Sequence, residues 1–142
     1  MPTCSITRLR LRRALLLPGF VIHSKLSSRQ AVRSRGFGGG YLAIGPRLTF
    51  WTVTLWDDEQ AMRAFRRSGR HLAAMPKLLD WCDEAAVATI AAAELPQPDE
   101  AARRLAAEGR LSKVRRPSPR HAAGAVWPDR AVPRRARTLT PA

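Results

Sequence analysis

Acidic side chains are scarce in this chain: 11 Asp and Glu stand against 25 Lys and Arg, for a net charge of +14. None precedes Asp57, so residues 1–56 carry nine basic groups and no acidic ones, residues 57–96 five against seven, and residues 97–142 eleven against four. Basic ends of this kind can neutralise phosphate in a salt-dependent way. Solvated arginine explains the same composition, and no recognition motif or series of stacking aromatics accompanies it, so nucleic acid is not the favoured partner. Cysteine is nearly absent too. Cys4 and Cys82 lie far apart and form no C-x-x-C or Cys/His pattern, which excludes a disulfide framework or cysteine metal site and suits a reducing cytoplasm. Cys82 beside Trp81 reads as a small core hydrophobe. No apolar run is long enough to cross a bilayer. The stretch ALLLPGFVI is interrupted at Pro18-Gly19, runs into His23-Ser24-Lys25 and lacks a small-residue cleavage site, so no signal peptide is expected despite the preceding arginines. Also missing are a Ser-His-Asp series, an internal repeat and the G-x-x-x-x-G-K-S/T pattern that would make Gly38-Gly39-Gly40 a phosphate loop; a flexible turn is expected there.

What is present centres on Phe50 to His71, FWTVTLWDDEQAMRAFRRSGRH, where the hydrophobic period changes abruptly. Phe50, Thr52, Thr54 and Trp56 share one face of a period-two strand, and Trp51, Val53 and Leu55 share the other. Large apolar groups on both sides predict a strand covered twice, by its own helices and by a partner subunit's sheet. Asp57 with Gln60 predicts a capping box, and Asp58 and Glu59 add first-turn negative charge. Ala61, Met62, Phe65, Leu72, Met75 and Leu79 recur at helical spacing, leaving Arg63, Arg66, Arg67 and Arg70 for the wetter faces. Ser68-Gly69 and Pro76 predict breaks, giving one main helix and a short second one with Leu78, Leu79 and Trp81.

Around this junction, residues 6–12 predict a strand, residues 20–33 a moderately amphipathic helix with Pro18 in its first turn, and residues 41–44 a second strand joined through Gly45-Pro46-Arg47. Residues 86–92 predict a fourth strand against their alanine-rich helix propensity. The order is β-α-β-β-α-β, an α+β ferredoxin-like sheet with helices on one face. Residues 99–109 add a C-terminal helix closed by Gly109. One domain is expected over residues 1–112, followed by a basic Pro/Arg/Ala-rich disordered tail at 113–142 with Trp127 as its single large anchor.

The W-T-x-T-x-W strand followed by A-M-x-x-F and S-x-x-H, with PGF at 18–20 and SKVRRPSP at 112–119, resembles an uncharacterised bacterial family related to the antibiotic-biosynthesis monooxygenases, in the dimeric α+β barrel superfamily. The resemblance runs from about Ile6 to Pro119. It implies a homodimer whose sheets pack together and a small-molecule ligand. It also implies an oxygenase of an electron-rich aromatic or polyketide-like compound that works without metal or flavin, or, alternatively, with haem on His71. One departure is plain: the chain contains no asparagine, a side chain that oxygenases of this superfamily often place in the pocket. Thr52 or Thr54 could supply a hydroxyl there, which does not reproduce an amide's paired donor and acceptor.

The residues themselves nominate a site. His71, near the predicted helix break, is the candidate general base; a helix-end histidine among arginines is the plainer reading. Trp51, Trp56 and Phe65 could line a pocket for a flat ligand or simply fill the core. Arg70 would assist electrostatically. The expected function is a small-molecule-binding barrel with monooxygenase-like activity; the alternatives are a non-catalytic ligand-binding or structural dimer, or a nucleic-acid binder acting through the basic tail.

Overall fold

A computed structural model describes residues 2–142. Its elements are β1 (Thr3–Leu11), a single 3-10 turn (Ala14–Leu16), α1 (Leu17–Val32), β2 (Phe37–Ile44), β3 (Thr49–Trp56), α2 (Glu59–Arg66), α3 (Gly69–Trp81), β4 (Cys82–Ala91), α4 (Pro98–Glu108), β5 (Arg110–Leu111), α5 (Pro119–Ala122) and β6 (Arg134–Leu139). The strands form one antiparallel sheet in the order β5-β4-β1-β3-β2-β6. The central order β4-β1-β3-β2 is the ferredoxin-like arrangement expected from the β-α-β-β-α-β pattern.

Alternation along the strands sorts the side chains. Ser5, Thr7 and Leu9 of β1 pair with Thr54, Thr52 and Phe50 of β3 on the face under α1, α2 and α3, while Cys4 and Ile6 pair with Leu55 and Val53 on the opposite face. Under the helices the apolar groups gather at two ends. Leu11, Phe20 and Cys82 with Phe50, Leu78 and Trp81 make one cluster, and Ala31, Phe37, Trp56 and Met62 with Phe65 make the other.

The opposite face carries the largest core, with Cys4, Ile6, Tyr41, Trp51, Val53 and Ile90 packed against Ala101, Ala102 and Leu105 of α4. This corrects the expected covering: the chain's own α4 and the segment after it occupy the face on which a partner's sheet was expected. The alanines of β4 are explained in the same way. Ala86 and Ala88 meet Ala101 and Ala102, and small groups on both sides let a helix lie close to a strand.

Residues 113–142, expected as a disordered tail, are placed against the sheet. β6 pairs with β2, Arg135 lies 4.2 Å over the Tyr41 ring, and Trp127 packs on the α4 core while its indole donates to the Ala131 carbonyl at 3.1 Å. An ion cluster fastens the same segment. Glu84, 2% exposed, accepts from Arg8 at 2.9 Å, Arg10 at 3.1 Å, Arg120 at 3.1 Å and the Ser118 hydroxyl at 2.7 Å. Arg8 also reaches Asp129 at 3.2 Å. Composition pointed to disorder because these arginines count as surface charge until a buried carboxylate gathers them.

Local boundaries differ where caps and packing compete. The α2 cap is Asp58, whose carboxylate accepts from the Ala61 amide at 2.8 Å; Asp57 instead ends β3, its amide donating to the Gly36 carbonyl at 2.8 Å. Gly36 takes φ +84°, and a Cβ there would stand 2.7 Å from the Ala61 methyl, so glycine is required. α2 is the short helix and α3 the long one, the break falling at Ser68-Gly69 as predicted. α3 continues through Pro76, flanked by buried Ala74 and by Leu78 and Trp81, which pack on the Leu11, Phe20 and Cys82 cluster. The glycine triplet lies inside β2, with a register shift between Phe37 and Gly39, rather than in a free turn.

Candidate active site

Between the two apolar clusters under the helices the sheet presents hydroxyls. Strand register sets Thr89, Ser5 and Thr54 side by side, and beside them Val87, Thr7 and Thr52. Thr7, Thr52 and Val87 are half-buried and Thr89 is exposed, so the helices leave this strip open at the β4 side. A polar floor under a helical layer is unusual where core packing alone rules, since apolar groups would gain more from burial.

The end of α2 and the start of α3 overhang that floor. Arg66 turns inward and its guanidinium donates to the Ser5 hydroxyl at 2.8 Å. Burial first, then Arg110 and Arg63, draw its pKa down, while Glu59 opposes them. His71 follows across the Ser68-Gly69 turn. Its Nδ1 lies 3.3 Å from the Arg66 carbonyl, and its ring is 4.8 Å from that of Phe65. Burial lowers the imidazole pKa below its ordinary value, and the Arg66 charge adds to that despite the opposing carbonyl contact. The imidazole is therefore neutral at pH 7, and a proton on Nδ1 directed at the carbonyl leaves Nε2 as the acceptor.

Gln30 of α1 ties the turn together. Its amide nitrogen donates to the Phe65 and Ser68 carbonyls at 3.2 and 2.9 Å, and its amide oxygen accepts from the His71 backbone N–H at 2.9 Å. Behind the turn runs a series of rings: Phe37 to Trp56 at 5.2 Å, Trp56 to Phe65 at 5.1 Å, and Phe65 to His71. The Trp56 indole donates to the Thr54 hydroxyl at 3.0 Å, which occupies one lone pair of a hydroxyl nominated for substrate.

The structure thus brings together His71, Phe65, Trp56, Thr54 and Thr52, and separates two others. Trp51 lies on the far face of the sheet, 1% exposed beneath α4, because odd and even positions of β3 point apart. Arg70, expected as the electrostatic helper, faces solvent, and Arg66, expected on a wetter face, turns inward instead. Ser5, Gln30 and Arg66 were missed. Only the polar alternation Thr3, Ser5, Thr7 in β1, opposite the Thr52, Thr54 alternation, could have signalled the floor. The two thiols are not candidates, since burial pushes Cys4 and Cys82 up to about 12.

An open cleft of about 590 Å³ lies between the α1–β2 turn and α2, lined by Arg35, Gly36, Asp57, Asp58, Ala64 and Phe65 among others, and a second of about 540 Å³ lies on the outer side of α2. Phe65 is the one nominated residue in either. A haem held by His71 needs a flat slot at the imidazole; neither cleft is lined by His71, the Phe65 ring lies 4.8 Å from it, and Nδ1 is engaged by the Arg66 carbonyl. The residues do not fit that group. Among the described residues no cluster of three or more His, Cys, Asp or Glu could hold a metal ion, and no helix is long and apolar enough to cross a membrane.

Comparison with known proteins places this geometry. SnoaB, a cofactor-independent oxygenase from Streptomyces nogalater, has a similar structure at 15% identity and a TM-score of 0.55, over 66% of this chain and 94% of that one. Rv0793 from Mycobacterium tuberculosis is similar at 14% identity and a TM-score of 0.60, over 66% and 97%. A Nitrosomonas europaea protein named after the antibiotic biosynthesis monooxygenases is similar at 12% identity and a TM-score of 0.59, over 65% and 90%. At such identities the likeness is one of fold, and the expected relation to antibiotic-biosynthesis-monooxygenase-like α+β proteins holds at that level. No curated protein matches the chain. The profile described as "Domain of unknown function (DUF3291)" matches residues 11–113, more than half of the sequence, and the chain belongs to that family.

Proposed function

We propose that the strip between the sheet and the α2–α3 turn binds a small aromatic molecule and that the protein oxygenates it without metal or flavin. The observation that carries this reading is the pairing of a half-buried imidazole with an inward guanidinium: His71, its pKa lowered by burial, can take a proton, and Arg66 can stabilise the anion left behind. For a phenol with a free para carbon, His71 removes the hydroxyl proton and the electron-rich ring then reacts with oxygen. One oxygen atom enters the ring as a new carbonyl and the other leaves as water, so phenol and O2 give quinone and H2O, and all four electrons that reduce O2 come from the substrate. Half-buried Phe65, backed by the buried Trp56 ring, supplies a face for the ring to stack on, and Gln30 keeps the base in place.

The test uses 1-naphthol and an oxygen electrode. Oxygen uptake with appearance of 1,4-naphthoquinone is expected, falling by about 100-fold or more in His71→Ala. Unchanged turnover in that variant removes His71 as base; binding of naphthol without uptake leaves a non-catalytic binding protein. The homodimer implied by the resemblance needs a free sheet face, and α4 with the segment after it covers that face here. We therefore infer a single-chain particle that completes its own second layer.

A further inference from the structure

Among the described residues, two guanidinium groups at the open strip make no ion pair. They are Arg66 and Arg110, and the hydrogen bond of Arg66 goes to a neutral hydroxyl. Register places Arg110 of β5 beside Val87, and Val87 beside Thr7, so Arg110 sits at the edge of the hydroxyl floor on the helical face. Arg66 stands over Ser5, one pair along. The two cations are close enough that Arg110 is the second cause, after burial, of the lowered Arg66 pKa. Like charges held together over hydroxyl donors, one of them half-buried, leave an anion as the partner that relieves both repulsion and desolvation.

We propose that the ligand of this strip carries a carboxylate, held between the guanidinium groups of Arg66 and Arg110 above the Ser5 and Thr89 hydroxyls. The statement rests on the binding strip described under the proposed function and adds the charge of its ligand. A carboxylate suits the place because a planar fork meets a planar fork, and because the ring series starting at Phe65 continues from the same turn as Arg66. The substrate class is then an aromatic acid.

Titration calorimetry at low salt with 2-naphthoate and its uncharged amide, 2-naphthamide, tests this. Naphthoate is expected to bind about tenfold tighter than the amide. Arg66→Gln and Arg110→Gln should each erode that preference and together abolish it, Arg66→Lys should keep part of it, and the exposed control Arg13→Gln should leave it intact. Equal binding of acid and amide by the unaltered protein, or a preference surviving in the double variant, would overturn the proposal. Tight binding of inorganic phosphate that naphthoate fails to displace would do the same. If near-ultraviolet dichroism shows that Arg66→Gln does not fold, Arg110→Gln, which alters an exposed residue, carries the test. Charge preference without oxygen uptake sinks the oxygenase reading and leaves this one standing; uptake without preference does the reverse.

Discussion

At the scale of single residues, position relative to a break decides role. Arg66 and Arg70 are four apart and would share a helix face, but the Ser68-Gly69 turn, with Gly69 at φ +56°, resets the phase and sends one inward and the other out. Sequence periodicity could see four arginines and a break; it could not see which side of the break faced the sheet. His71 was legible because an imidazole beside a break is rare enough to notice. Its lowered pKa predicts that kcat/KM for an oxygenated phenol rises with pH and levels off with a midpoint below 6.5, since the base must be unprotonated. A midpoint above that value would mean an exposed or carboxylate-paired imidazole. Glu84 makes the opposite case, an ordinary carboxylate in the sequence that becomes the hub of a buried cluster. Burial pushes its pKa up, but the Ser118 hydroxyl, Arg8 and Arg120 outweigh that and hold it at about 2. Because the folded value lies below the unfolded one, the stabilisation is complete above about pH 4.5 and is lost as pH falls through about 2. Glu84→Gln should cost about 3–5 kcal/mol by urea titration, because buried Arg8 keeps only Asp129 as a carboxylate partner and Arg120 loses its ion pair, and should flatten the acid limb of a melting profile.

At the scale of elements, the strands were read best and the caps worst. The alternation that defined Phe50 to Trp56 holds whatever the tertiary context, because successive side chains must point to opposite faces. Asp57 and Asp58 are chemically equivalent caps, and the contact with the Gly36 carbonyl that fixes the Asp57 backbone just past the end of β3 separates them. The β2–β3 hairpin shows the converse, a tight turn built from poor turn residues: Arg47 and Leu48 both sit in the left-handed region at φ 55° and 63°. Leu48 is retained by its packing near Leu11 and Phe20, but Arg47 is exposed and adds nothing that compensates. Arg47→Asn should raise stability by about 0.5–1 kcal/mol, read as a higher urea midpoint at unchanged slope.

At the scale of the whole molecule, the sheet was predictable and its second cover was not. Apolar groups on both faces of β3 demanded two layers, and sequence could not say whether the outer one came from another chain or from residues beyond position 95, since both satisfy the same hydrophobic demand. With α4 seated, sedimentation at micromolar concentration should report the mass of one chain; a two-chain mass would show that α4 lifts or that another face associates. Leu105, with no exposed area, is the centre of that cover, and Leu105→Ala should cost about 2–5 kcal/mol by urea titration. The order of the elements along the chain has a further effect during synthesis. Tyr41, Trp51 and Val53 emerge from the ribosome well before Leu105 and Trp127, so the nascent sheet stands with an oily side bare and invites chaperones or proteases until the later residues arrive.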